Sequence, residues 1–215
     1  MNSKKTPKRA YNSSRRQEQA SQTRFQIIEA ARRLFIERGY AGATLDAIAQ
    51  EAGVAVETVY ASFGNKRAIL SKLIDVSLVG DDQPIPLLER QGPQTVQHET
   101  DQRRQIELFV NDIYEIMGRM APIFDIMRVA AKTELEISKM LQNMLNSRLQ
   151  GMMTFVSALM KNGPLREGLT PEEAAETVWM LTSAEAYLLF IENRGWTEKK
   201  YKHWMVDTLA RLLLT

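Results

Sequence analysis

The chain has 215 residues, 44% of them hydrophobic, with no cysteine and two histidines, which fits a globular protein of one or two domains. This composition excludes disulfide frameworks, thiolate metal sites and His-rich metal sites. Lys and Arg exceed Asp and Glu by two overall, but residues 1–80 carry +6 and the remainder −4, which suits a polyanionic partner or a solvated basic tail.

The first 20 residues lack periodic apolar positions and are rich in Lys, Arg, Ser, Asn and Gln. This pattern predicts a disordered basic arm over residues 1–20, either inert or bound in a DNA minor groove. A helix then begins near Ser21, and Gly39 stands where a C-capping glycine belongs. Its apolar positions recur at helical spacing and comprise Ile27, Ala30, Ala31, Leu34 and Phe35.

Two short helices follow, separated by a glycine turn. Thr44 predicts the N-cap of the first, and Gly53 its end. The next covers about Val56 to Phe63, and a fourth helix with an apolar face begins after Gly64-Asn65. A helix, a glycine turn and a short second helix form the helix-turn-helix pattern, so residues 21–80 are predicted to be a DNA-binding domain.

The outer face of the short second helix suits the DNA major groove, because its residues are small or polar and permit close approach. Those residues are Glu57, Thr58, Ala61 and Ser62, and Val56 at the start of the helix is also a predicted DNA contact. Glu57 would repel phosphates but could accept a hydrogen bond from cytosine N4, or it could simply favour the helix N-terminus. Lys66, at the start of the next helix, is placed to reach a phosphate oxygen.

Residues 81–101 contain three prolines and predict a linker or irregular connection at a domain boundary. Residues 102–215 predict a larger helical domain. Pro122 is expected to interrupt its first helix, and a long central helix is expected over about Thr133 to Lys161. Thr170 opens a capping box with proline at the first helical position, and that helix is expected to end near Asn193. Thr197 caps a last helix, so the predicted fold class is all-α.

The last two helices carry apolar stripes that one chain would bury only in part. A pair from a second chain should therefore complete a four-helix bundle. The predicted dimer residues are Val178, Thr182, Ala186, Leu189, Tyr201, Trp204, Thr208 and Leu212.

The spacing of the helix-turn-helix resembles that of the TetR family of transcriptional regulators. The matching positions are Thr44, Ile48-Ala49, Ala52-Gly53-Val54, Thr58-Val59-Tyr60, Phe63, Lys66 and Ile69-Leu70. The resemblance covers about residues 21–80 and is looser beyond them. It implies a dimer in which each recognition helix enters the major groove of a half-site while Thr44, Tyr60 and Lys66 hold phosphates.

Three positions at the start of the recognition helix depart from the family pattern. Ala55 stands where a capping Ser or Thr is frequent. Val56 and Glu57 stand where a basic residue and a glycine are common, which affects the operator sequence more than the docking mode. Tyr60 could alternatively be a core aromatic, and Thr44 caps its helix in either case.

Eight of the eleven methionines lie between Met117 and Met160. Methionine suits a cavity for varied apolar ligands, but it also fills irregular cores. The family resemblance implies a ligand cavity in the C-terminal domain, which favours the first interpretation. The residues predicted to line it are Met117, Met120, Phe124, Met127, Met144, Met152, Phe155, Trp179 and Tyr187.

The most consistent function is a ligand-responsive repressor that binds a palindromic DNA operator as a homodimer and is released by a small apolar effector. The alternative is a DNA-binding adaptor of the same fold, with a filled core and a protein partner. The sequence shows no arrangement of catalytic groups, so we expect no enzymatic activity, no metal and no cofactor. Without an apolar span or signal peptide, we expect a cytoplasmic protein with no membrane partner.

Overall fold

The computed structural model describes residues 11–215, and these form ten α-helices and no strand. The predicted all-α class is confirmed. The chain divides into a first compact unit that ends at Leu73 and a second that extends from Ile74 to Thr215. The helices of the first unit are α1 (Tyr11–Gly42), α2 (Leu45–Ala52), α3 (Val56–Phe63) and α4 (Lys66–Val79), which crosses the boundary.

The start of α1 corrects the prediction for the N-terminus. Residues 11–20 are helical, whereas residues 1–10 lie outside the described part of the chain. Every described side chain from residue 15 to residue 22 is exposed, so this stretch has no buried stripe for a periodicity argument to detect. Gly39 has φ +68°, as expected of a C-capping glycine, and a short helical turn continues from it to Gly42.

The core of the first unit follows the predicted pattern. The apolar stripe of α1 is fully or almost fully buried, together with Ile48 of α2, Val59 of α3 and Ile69 of α4. Thr44 caps α2, since its Oγ1 accepts a hydrogen bond from the Ala47 amide at 3.1 Å. Local capping and burial therefore fix the positions of α2 and α3.

The second unit packs around α6. Its helices are α5 (Gln91–His98), α6 (Gln102–Ala130), α7 (Leu135–Met160), α8 (Pro171–Leu181), α9 (Ala184–Leu188) and α10 (Glu198–Leu213). Helices α5, α7, α9 and α10 contact α6, and α8 lies along α7. The capping box at Thr170 and the N-cap at Thr197 are confirmed.

Three expectations for this unit are wrong in detail. Residues 81–101 are not simply irregular, because they contain a 3₁₀ turn (Leu87–Glu89) and α5. Pro122 lies inside an uninterrupted α6, with buried residues on both sides of it, although an internal proline costs roughly 3 kcal/mol. The helix expected to continue to Asn193 is broken after Leu181, and α9 is followed by a π-helical turn (Leu189–Asn193).

Candidate nucleic-acid interface and ligand cavity

Helix α3 presents most of the predicted DNA-contacting side chains on one accessible face. Val59 is fully buried and anchors the helix, whereas the Tyr60 side chain is 54% exposed. Tyr60 is therefore not a core aromatic. Glu57 and Ala61 are exposed, and Val56, Thr58 and Ser62 are partly buried. Ala55 provides no side-chain cap, as its lack of a hydroxyl requires.

The far end of α3 is held by an arginine that the sequence interpretation missed. Arg24 donates from Nη1 to the Ser62 carbonyl oxygen at 2.9 Å, and its guanidinium lies 4.7 Å from the centre of the Phe63 ring. This contact satisfies a carbonyl at the C-terminus of the helix. Arg24 precedes the buried Ile27 by three residues, so its place on the inward face was the available signal.

Lys66 has an internal role in the first unit. Its ammonium donates to the Tyr40 carbonyl oxygen at 2.6 Å and the Ala41 carbonyl oxygen at 3.4 Å, and lies 4.4 Å from the centre of the Tyr40 ring. These contacts connect the start of α4 to the end of α1. Thr44, by contrast, uses only an acceptor site in its capping bond, so its hydroxyl hydrogen remains available as a donor.

The second unit contains a cavity of about 760 Å³. Residues of α6, α7 and α8 form most of its wall, with Leu78 of α4 and the 3₁₀ turn. Of the residues predicted to line a pocket, the structure brings six to this wall: Met117, Met120, Phe124, Met144, Met152 and Trp179. The volume lies within the range typical of small-molecule sites.

Three other predicted pocket residues do not line the cavity. Met127 is fully buried in the helical core. Phe155 stacks on Phe109, with 3.8 Å between ring centres. Tyr187 packs against the rings of Tyr114 and Tyr201, where burial raises its pKa to about 12. Helical spacing alone did not distinguish residues facing the cavity from residues facing neighbouring helices.

The cavity wall also contains charged residues that the sequence interpretation missed, among them Arg148 and Glu185. Arg148 Nη2 donates to the carbonyl oxygen of Trp179 and to Thr182 Oγ1, the latter at 2.9 Å. Burial lowers the pKa of Arg148 to about 10, and the negative charge of Glu185 opposes this shift. The guanidinium is therefore charged at neutral pH. The sequence signal that could have identified Arg148 was the position of an arginine within the apolar face of α7.

The end of α4 is attached to α6 through Arg119. Its Nε donates to the Ser77 carbonyl oxygen at 2.9 Å, and Nη2 to the Leu78 carbonyl oxygen at 3.5 Å. Arg119 lies between two residues of the cavity wall, Met117 and Met120. The helix that lines the cavity thus contacts the C-terminus of α4 directly.

The predicted dimer residues have different environments. Val178, Thr182 and Tyr201 are at most 1% exposed, so the core of their own chain already covers them. Leu189 is 59% exposed. The Trp204 ring packs on Phe190, with 4.6 Å between ring centres. Ala186, Trp204, Thr208 and Leu212 are partly buried.

Across residues 11–215, no helix is both long enough and apolar enough to cross a membrane. The same residues contain no group of three or more His, Cys, Asp or Glu side chains that could hold a metal ion.

Comparisons with known proteins agree with this arrangement. Residues 27–73 match the family model of bacterial regulatory proteins, tetR family. The HTH-type transcriptional regulator TtgR of Pseudomonas putida is 48% identical over 61 residues, which is 28% of this chain and 29% of TtgR. The matched segment thus spans less than a third of that relative. The HTH-type transcriptional repressor BepR of Brucella suis biovar 1 is 30% identical over 121 residues, covering 50% of this chain and 58% of BepR.

The fold extends the likeness over the rest of the chain. The crystal structure of NalD, the secondary repressor of the MexAB-OprM multidrug efflux pump in Pseudomonas aeruginosa, superposes with a TM-score of 0.67. The superposition covers 92% of this chain and 98% of NalD at 20% identity, so it shows a common fold. The match over residues 27–73 therefore places the helix-turn-helix formed by α2 and α3 in the tetR family of bacterial regulatory proteins, and the rest of the chain shares the NalD fold.

Proposed function

We propose that the chain is a ligand-responsive transcriptional repressor. In this proposal a homodimer binds a palindromic operator through α3 and is released when a small apolar effector occupies the second unit. The observation that carries the proposal is the cavity of about 760 Å³ lined by methionine and aromatic side chains. The adaptor alternative expects a filled core, which this cavity argues against.

The proposed DNA contacts divide into two classes. Thr44, Tyr60 and Lys66 would position the protein on phosphates, and the outer face of α3 would meet base edges. The basic first part of the chain adds attraction that is independent of sequence, so binding should weaken steeply with salt. In a dimer, the two recognition helices must meet successive major grooves about 34–36 Å apart.

Glu57→Gly is expected to change which operator bases are preferred, because the exposed Glu57 carboxylate meets base edges in this proposal. Tyr60→Phe should instead weaken binding to all duplexes by a similar factor, because a phosphate contact carries no base information. Both variants would be compared with the unaltered chain by selection from a random duplex library and by fluorescence anisotropy. An unchanged base preference in Glu57→Gly would assign Glu57 to helix stability alone.

The proposed dimer uses the region around α9 and α10, where Leu189 exposes 59% of its surface. Leu189→Asp should convert the dimer to monomer at micromolar concentration, because it would place a charge in an apolar contact. Sedimentation velocity measures this directly. Leu135→Asp is the matched control, since Leu135 is 70% exposed at the start of α7 and outside the proposed interface. A Leu189→Asp dimer as stable as the control would place the interface elsewhere.

Release requires that the effector bind the DNA-incompetent state more tightly than the competent one. Leu78 contributes to the cavity wall, and Arg119 joins α6 to the end of α4. A ligand in the cavity could therefore displace α4, which extends into the first unit.

The test is reciprocal. Apolar compounds that raise the melting temperature are titrated with and without saturating operator, and each should lose affinity by the factor by which it weakens DNA binding. A ligand whose affinity is the same with and without operator would support the adaptor alternative instead.

A further inference from the structure

The cavity is mainly apolar, but three charged residues contribute to its wall: Arg128, Arg148 and Glu185. Arg128 already has a partner, because its Nη2 lies 3.2 Å from Asp125 Oδ1. Arg148 has no carboxylate within ion-pair distance in the described part of the chain. Of the two cations in the wall, Arg148 is thus the one without an ion-pair partner, although the more distant charge of Glu185 acts on it.

Hydrogen bonds hold Arg148 in place, but some of its N–H donors remain unused. Its Nη2 group bonds the Trp179 carbonyl oxygen and Thr182 Oγ1, and the guanidinium lies 5.2 Å from the centre of the Trp179 ring. Its Nε–H and Nη1–H groups form no hydrogen bond with residues 11–215. A fixed guanidinium with unused donors is well suited to bind an oxyanion, since arginine forms strong charge-assisted hydrogen bonds.

A second unpartnered polar group lies near this arginine. Tyr201 is 1% exposed, and its hydroxyl is a buried polar atom without a hydrogen-bond partner. It interacts electrostatically with Arg148, while burial raises the pKa of the phenol to about 12. The hydroxyl is therefore neutral at physiological pH, and it can act as a donor. Tyr201 is not among the residues of the cavity wall, so a ligand there would meet the unused donors of Arg148 and not this hydroxyl.

We infer that the cavity selects an amphipathic organic anion, with its ionised acid on Arg148 and its apolar body among Met117, Met144 and Trp179. This inference rests on the proposed function, because it takes the cavity as the effector site. It narrows the effector from any apolar molecule to a monoanion. Glu185 shares the wall and repels the anion, so it should reduce affinity without reversing the preference; its exposed position weakens that repulsion by solvent screening.

The experiment compares three probes with one chain length and different head groups: decanoate, decanamide and decyltrimethylammonium. Isothermal titration calorimetry on the full chain at pH 7 should give decanoate about tenfold tighter than decanamide, with the cation weakest. Arg148→Gln should lower decanoate affinity to the decanamide level, and Glu185→Gln should raise decanoate affinity by about twofold to threefold. Equal affinities for all probes, or a preference for the cation that Glu185→Gln removes, would overturn the inference.

Arg148→Gln also removes two internal hydrogen bonds, so its fold must be checked by circular dichroism. If it does not fold, two other variants test the inference: Arg148→Lys, which keeps the charge, and Glu185→Gln. Retained anion preference in the first and increased preference in the second support the inference, and no change between Glu185→Gln and the unaltered chain contradicts it.

Calorimetry without DNA tests the ligand class, whereas operator anisotropy tests release. Selective decanoate binding without release would refute only the proposed mechanism of release. Release by decanamide as readily as by decanoate would refute only the anion preference.

Discussion

Gly151→Trp is expected to reduce the affinity of cavity ligands at least tenfold while leaving operator binding unchanged. Gly151 lies in α7 on the cavity wall, and a Cβ added there would meet no atom within 4 Å. The Cβ is therefore accommodated, and the indole beyond it is expected to occupy ligand space in the cavity. Trp has a higher helix propensity than Gly, by less than the roughly 1 kcal/mol that separates Gly from Ala, so the backbone of α7 should tolerate the change.

Gly151→Ala is the matched control, because it also replaces the helical glycine and adds only one methyl group. It should gain about 0.8–1 kcal/mol in the free energy of unfolding and still respond to ligand. Calorimetry with a ligand found in the thermal screen, followed by operator anisotropy, measures both effects. A Gly151→Trp variant that still releases DNA at the ligand concentration of the unaltered chain would place the effector outside this cavity.

The second large effect is expected at Lys66. Lys66→Met should lower the free energy of unfolding of the first unit by about 2–3 kcal/mol, because it removes charged hydrogen bonds to the end of α1 and a cation–π contact. Urea denaturation measures this loss. DNA binding should weaken on every sequence alike, since the position of α3 depends on an intact unit and no base contact is removed.

Salt dependence separates the structural role of Lys66 from a phosphate contact. If Lys66 also binds a phosphate, Lys66→Met should reduce the slope of log affinity against log salt by about one. Tyr40→Leu is the control: it removes the ring but keeps the carbonyl acceptor, so it should cost less stability and leave the slope unchanged. A Lys66→Met variant as stable as the unaltered chain would show that the contacts to Tyr40 and Ala41 contribute little.

The helix-turn-helix could be predicted from sequence because its limits are set by local chemistry. Thr44 caps α2 through its own hydroxyl, and Gly53 adopts the left-handed conformation, φ +68°, that ends the helix. Such signals depend on residues three or four positions apart, which a sequence shows directly. The apolar stripe of α1 could also be predicted, because that helix buries a single face against the core of the first unit.

The features of the fold and the cavity that the sequence did not predict depend on long-range packing. The start of α1 has no buried face, and Pro122 lies within a helix whose residues on both sides of it are buried by distant parts of the chain. In the second unit, α6 has neighbours on several sides, so an apolar residue there can face the cavity or another helix. Met117 and Met127 belong to the same helix, yet only the first reaches the cavity. Arg148 was missed because an arginine at helical spacing is ordinarily assumed to face water.

The attachment of Arg119 to α4 has an evolutionary consequence. Its acceptors are the main-chain carbonyls of Ser77 and Leu78, and every amino acid supplies such a carbonyl. Substitutions at these two positions therefore change the side chains around the Arg119 contact but keep its acceptors. Substitutions of side chains around the cavity or along α4 would therefore leave both acceptors of Arg119 in place. If the proposed effector site is correct, its ligand preference could change by substitution without loss of the contact between α6 and α4.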